Sequence, residues 1–412
     1  MDGVAAGVRA IAQDLVALRR ALHRQPELAF QEVKTASRIS GLLARHGLAV
    51  REGVGGTGVL AELNGSSPGG RLLVRAEMDG LPIREVTDRA YASRRPDVMH
   101  ACGHDAHMAA VIGAAMILAD LRDTLAGSIR FCFQPAEETL AGAEAMIRDG
   151  ALEGVDHALG GHVLTALAPG MVAVVPGAIL AGADFFELAI VGRAGHGGMP
   201  ESTIDPVLAA AHVVTALQAI VARETRPTDR LVVSITAIEG GSSPNVGPER
   251  VLLRGNIRWF SDQDRQRTLA RIDSIGVGVS AALRASAELR VIASTPVSVN
   301  AAAELDVVKD AVAATQSAIA IDSGAITASD DWARFSERVP AAFFFLGAGG
   351  SDAAPHHHPA FDIDESSIPV MCEILVRTAL AHARHADGRP ALVRASATSG
   401  RVEPPDRPGV TV

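Results

Sequence analysis

The chain has 412 residues, more than one compact domain usually holds, so two domains are expected. Hydrophobic residues make up 48% and charged residues 21%, the proportions of a globular protein with a sizeable core. A formal charge of -9 with 3% aromatic residues argues against a nucleic-acid partner and against an anionic membrane surface.

The first segment carries apolar residues at Val8, Ile11, Leu15, Leu18 and Leu22, the spacing of an amphipathic helix over 8–24 rather than of a signal segment. A second helical pattern covers 32–46. Strand-like runs follow at Gly58–Leu63 and Arg71–Ala76. Asp105 reads as the N-cap of a helix through AHMAAVIGAAMILADL. Next come a strand at 129–134, a helix at 141–149 and a strand near 157–163. This alternation predicts an α/β fold, a sheet with helices on its faces.

The pattern changes near Gly182. A strand at 185–192, a helix at 205–223, strands at 231–238 and 250–259, a helix at about 262–284 and the strand-like LRVIAS give a β-α-β-β-α-β order. That order predicts an inserted α+β (ferredoxin-like) unit, a small four-stranded sheet with two helices on one face. The α/β signals resume at 304–320 and Ala341–Leu346, and a last helix is expected at about 366–386. The expected division is 1–181 with 293–386 for the main domain and 182–292 for the insert. The tail 387–412, rich in Pro, Arg, Gly and Ser, reads as disordered. No apolar run approaches the ~20 residues of a membrane span. The sparse cysteines Cys102, Cys132 and Cys372 suggest no disulfide framework and a reducing cytoplasm.

Six of the fourteen histidines lie in two short clusters. MHACGHDAH (99–107) brings His100, Cys102, His104, Asp105 and His107 together around Gly103. A thiolate and an imidazole two residues apart, on a loop feeding a helix, can face one metal ion. FQPAEET (133–139) offers Glu137 and Glu138. Neighbours on an extended chain point apart, so one can bind metal while the other works on a water. Taken alone, that pair is an ordinary acidic helix start. His162 ends an apolar stretch, His356, His357 and His358 follow the strand AAFFFLG, and Glu77 and Asp79 follow a strand-like run. Each alone is more often structural. Together, four of the five groups end or closely follow strands, where α/β sheets collect ligands, and they supply donors for two divalent ions.

These strings resemble metallopeptidase family 20, in the branch of hippurate hydrolases, N-acyl-amino acid amidohydrolases and auxin-conjugate hydrolases. The resemblance spans about residues 10–386 through LRRALHRQPELAFQE, RAEMDGLPI, MHACGHDAH, FQPAEE, GRAGHGGMPE, NVGPERVLLRGNIRWF and HHHPAFDIDE. It implies a catalytic domain holding two divalent ions (Zn or Mn, with Co and Ni open) and a lid and dimerisation domain. It implies Cys102, His104, Glu138, His162 and His357 as metal ligands, Cys102 as the bridging one. The run His356–His358 leaves the last assignment open by one position. Glu137 is implied as general base and Asp79 as the residue orienting a ligand. His196 is implied to polarise the scissile carbonyl, often across a homodimer, and Asn245 and Arg258 to contact substrate. The implied reaction is hydrolysis of a small-molecule amide, an N-acyl amino acid, with a dipeptidase or carboxypeptidase on the same site as the alternative. A structural metal site and a Cys102 nucleophile are rivals that leave Glu137 or the distant histidines unexplained. Departures from the family strings occur at Glu77 (RAEMD for RADMD), Gly247 (NVGP for NVIP), Glu201 after the lid string, and Asp330 and Trp332 (SDDW for SEDF).

Overall fold

A computed structural model describes residues 2–384; the tail read as disordered from Asp387 lies outside the described residues. Its larger sheet has eight strands, in spatial order Ala49–Val54, Gly58–Asn64, Ala126–Gln134, Ser67–Glu77, His157–Leu164, Ala341–Gly347, Met171–Ala173 and Ile319–Ile321. The four strands in the middle, from Ala126–Gln134 to Ala341–Gly347, run parallel, and the edges add antiparallel pairings. The sheet is therefore mixed, as expected. Its central strands are buried on both faces, which is why Ala341–Leu346 reads as an unbroken apolar run and Leu72–Ala76 as one broken only by Arg75.

One face is covered by the helices Asp2–His23, His104–Asp120 and Ser367–Arg384. The helix His104–Asp120 is apolar almost all round and correspondingly buried almost all round. Asp105 is not its N-cap. The helix starts at His104 after Gly103, and the Asp105 carboxylate is fully buried, bound by Arg19 Nε at 2.7 Å and His23 Nδ1 at 2.8 Å. A buried ion-pair partner outweighed the capping role that an exposed aspartate takes at that place. The edge strand Ala49–Val54 escaped the sequence reading because it is mostly exposed and its Arg51, Glu52 and Gly53 interrupt any apolar run.

Between Gly182 and Thr295 lies the expected β-α-β-β-α-β unit. Its strands order as Val232–Glu239, Arg250–Trp259, Gly182–Val191, Ser286–Thr295, all antiparallel. Inward and outward residues alternate along Arg250–Trp259, as a sheet with one covered face requires. Phe186, Leu188, Ile190, Val213, Leu217, Leu253, Ile257 and Ile272 form its own core. Asp205 caps the helix Pro206–Ala219 by accepting from the N–H groups of Val207 and Leu208, with Pro206 at the first turn. One helical stretch, Pro206–Glu224, is long and apolar enough by length and composition to cross a membrane, contrary to the sequence expectation. Its Ala209, Ala210, Val213, Leu217 and Ile220 face instead packs into the core of the small sheet.

Candidate metal centre

The four parallel central strands end together at Glu77, Gln134, Leu164 and Gly347, and the chain turns that follow them carry the sequence-predicted groups. Gly103 sits at φ +91° between Cys102 and His104, and a Cβ there would lie 2.4 Å from Val163 Cγ2. Only glycine lets the loop press against the His157–Leu164 strand, which holds Cys102 Sγ 3.5 Å from His162 Nε2.

Each imidazole is oriented by what its other nitrogen touches. His104 Nδ1 lies 2.9 Å from the Asp79 carbonyl, so Nδ1–H donates there. Nε2 then faces Glu137 Oε2 and Glu138 Oε1, each at 3.9 Å. His162 Nδ1 donates to the Val163 carbonyl at 2.6 Å, which aims Nε2 at Cys102. The Asp79 carboxylate accepts the Glu138 N–H at 3.0 Å, so one residue holds the histidine through its carbonyl and the acidic turn through its side chain. That turn, Glu137–Thr139, is flanked by Ala136 and Leu140, both at left-handed φ. Such residues cost about 1 kcal/mol or more each. Glu32 accepts the Ala136 N–H at 2.9 Å and helps hold the strained turn.

The histidine run divides three ways. His357, at φ +63°, places Nε2 3.4 Å from Glu138 Oε1 and groups with Cys102 and Glu138. His356 lies half-buried behind, Nδ1 3.8 Å from Cys102 Sγ and Nε2 accepting from Thr165 N–H at 3.3 Å. His358 accepts the Ala360 N–H and stays exposed. Three donor groups result: Cys102 with His104 and His162, Cys102 with Glu138 and His357, and His104 with Glu137 and Glu138, each with ligand atoms within 4.8 Å of one another. His107 also falls close to His162 and Glu77, but both its nitrogens are used, Nδ1 on Glu77 at 2.9 Å and Nε2 on the Val163 N–H at 2.9 Å. It braces the site rather than offering a free donor.

Beneath lies a network the sequence reading missed. Fully buried Arg75 reaches Glu77, Gln134 at 2.9 Å, Asp330 at 2.8 Å and Asp331 at 3.1 Å. Burial alone would raise Glu77, but Arg75 and His107 outweigh it and hold that carboxylate well below its usual range. Burial, then Asp330 and Glu138, pushes Glu137 well above the carboxylate range. Burial, Glu138 and Glu137 likewise push the Cys102 thiol well up. Burial would lower His104, yet the bond to Asp79 and the charges of Glu77 and Asp79 lift it to about 10. Burial drops His356 to about 3 and His162 well below its usual value. An excess of buried carboxylate is what bound cations balance. The residues suit a metal centre: His104 Nε2 and Glu138 Oε1 are buried without a hydrogen-bond partner and converge with a thiol and further imidazoles.

The substrate-side residues are placed differently. Arg258, on the inserted sheet, is half-buried, bonds Ser329 Oγ and Asn256 Oδ1 (3.2 Å), stacks over Phe185 and lies close enough to Glu137 to feel its charge. His196 and Asn245 lie on a two-stranded ribbon, where His196 pairs with Val246 and the Gly197 N–H bonds the Asn245 carbonyl at 2.8 Å. Among the described residues, no hydrogen bond, ion pair or ring contact joins either of them to the donor groups.

A family model for peptidase family M20/M25/M40 matches residues 73–381. An N-acetyl-L-cysteine deacetylase of Bacillus subtilis is 37% identical, covering 86% of this chain and 85% of its own. An N-acyl-L-amino acid amidohydrolase of Geobacillus stearothermophilus is 42% identical over 67% of this chain and 75% of its own. A crystal structure described as a dinuclear metal-binding peptidase of family M20 from Bacillus subtilis superposes with a TM-score of 0.78 at 34% identity, over 91% of this chain and 99% of the other. With these matches spanning both sheets and every donor group, the chain belongs to peptidase family M20/M25/M40.

Proposed function

We propose that the chain is a metal-dependent amidohydrolase of N-acylated amino acids, with Glu137 as the proton carrier. The carrying observation is the division of labour at the acidic turn. Glu138 joins Cys102 and His357 as well as His104, while Glu137, its neighbour, faces His104 Nε2. Cys102 is common to two of the groups, which supports its reading as the bridging ligand, with His104, Glu138, His162 and His357 completing the set.

When bound, two divalent ions supply Lewis acidity toward the amide carbonyl and make water a usable nucleophile at neutral pH. A thiolate among the donors favours zinc, with manganese, cobalt and nickel as the other arms of the test. Glu137 takes the proton of the attacking water and delivers it to the departing nitrogen, so that an acid and an amino acid leave. Asp79 keeps His104 and the Glu138 backbone in place. Arg258 suits a substrate carboxylate, since its guanidinium fork is half-buried and within reach of the charge of Glu137. His196 is assigned to the scissile carbonyl in the active site of a second copy and Asn245 to substrate contact, with residues 182–292 as lid and dimerisation unit. Three free, buried cysteines support a reducing, cytoplasmic setting.

The test is hydrolysis of N-acetyl, N-benzoyl and N-indoleacetyl amino acids beside dipeptides. Metal-stripped protein is assayed first, then protein with Zn, Mn, Co or Ni restored. Metal-restored cleavage of an acyl-amino acid is expected. Cleavage of dipeptides alone would replace this reading with the peptidase one.

A further inference from the structure

A second His and carboxylate cluster lies away from the catalytic groups. His157 opens the strand whose other end carries His162, five residues further on, which is about 16 Å along a parallel strand. Glu304 stands in the first turn of the helix Ala302–Ala313, and His382 in the last turns of Ser367–Arg384. Three remote segments thus meet at one point. His157 Nδ1 is 2.9 Å from Glu304 Oε1, and His382 Nε2 is 3.0 Å from Glu304 Oε2. The two imidazoles lie 4.9 Å apart between ring centres, and all three ligand atoms fall within 4.8 Å of one another.

A plain structural ion pair does not account for all of this. Glu304 is 4% exposed, and its Oε2 is buried with no well-aligned hydrogen-bond partner, because the His382 contact is close but poorly directed. An oxygen that accepts no good hydrogen bond, on a carboxylate held between two imidazoles, suits a cation better than a proton. Two imidazoles and one carboxylate form a protein ligand set that zinc takes, with water in the fourth position. The His157 side chain is 34% exposed, which leaves a path for the ion and room for that water. No residue of the cluster touches the catalytic donors.

We propose that His157, Glu304 and His382 form a separate, structural site for a zinc-type divalent ion, which ties the end of the Ser367–Arg384 helix to the start of the His157–Leu164 strand. Zinc–nitrogen bonds of about 2.0–2.1 Å need only small side-chain shifts from the present spacing. The ion would bind the folded protein alone, so it stabilises by mass action.

The test is zinc content of the full-length protein, stripped and then saturated with zinc, for wild type, His382→Gln and His157→Gln. Each variant is expected to hold one zinc fewer per chain than wild type. Each should also keep acyl-amino acid hydrolysis within about twofold and show a smaller rise in Tm on zinc addition. Equal zinc content in wild type and both folded variants would overturn the site. Should the variants not fold, anomalous scattering at the zinc edge from zinc-soaked wild-type crystals decides instead. A peak between the three side chains supports the site, and peaks confined to the catalytic groups refute it.

Discussion

Replacing Gly103 with alanine tests how the loop positions Cys102 and His104. The new Cβ would meet Val163 Cγ2 at 2.4 Å, with Phe361 Cζ at 3.7 Å and His107 Nε2 at 3.8 Å behind it. Val163 is fully buried and β-branched, so its methyl cannot swing aside. Holding alanine at φ +91° costs about 1–2 kcal/mol. Overpacking against a fixed methyl adds about 1–3 kcal/mol, for a total near 2–5 kcal/mol. Denaturant unfolding of metal-stripped protein reads the sum, and metal content after reconstitution reads the displacement of the two donors. In a Val163→Ala background the clash disappears and the backbone strain remains, so the cost of Gly103→Ala should fall to about 1–2 kcal/mol. A cost under about 0.5 kcal/mol, or the same cost in both backgrounds, would falsify the claim that close approach to the strand requires glycine here.

Glu137→Gln should keep its metal, measured by elemental analysis, and lose about 10²–10⁴-fold in kcat; near-normal turnover in the folded variant removes Glu137 from the mechanism. Arg75→Met leaves Glu77, Asp330 and Asp331 buried without their cation and should cost about 3–5 kcal/mol in unfolding free energy, partly recovered by adding Asp330→Asn. His23 gives a pH signature. Burial opposes its charge, but Asp105 and Glu85 lift its pKa to about 9, above the unfolded value near 6.5. Its contribution of about 3 kcal/mol is therefore full below pH ~6.5 and is lost as pH rises through about 9. Unfolding midpoints across that window should decline in wild type and much less in His23→Gln.

What was legible in the sequence was local. The apolar stretches Leu72–Val74 and Ala341–Leu346 mark doubly covered strands, and acidic and histidine groups sit past their ends. Alternation along Arg250–Trp259 marks a sheet with one covered face. What stayed hidden depends on partners far along the chain. Asp105 looks like any cap until Arg19, 86 residues away, claims it. Arg75 meets Asp330 across 255 residues, and no spacing rule reaches that far. The order within His356–His358 rests on backbone geometry: a left-handed φ turns His357 toward Glu138 while its neighbours face Cys102 and Ala360. His107, three residues after His104, shared that helix face and was the one bracing group within reach of a periodicity argument.

The strand Ala341–Gly347 lies between His157–Leu164 and Met171–Ala173, two strands made some 170 residues earlier. During synthesis the larger sheet therefore waits with an open slot, two unpaired edges facing each other, while the whole 182–295 unit emerges and folds on its own core. A ribosome stalled after the insert has emerged but before Ala341 would hold a chain with a finished insert and a sticky, unclosed sheet, the situation in which strand edges recruit other chains. His357 follows that strand in the chain, so the last donor is made only once the strand that fills the slot exists.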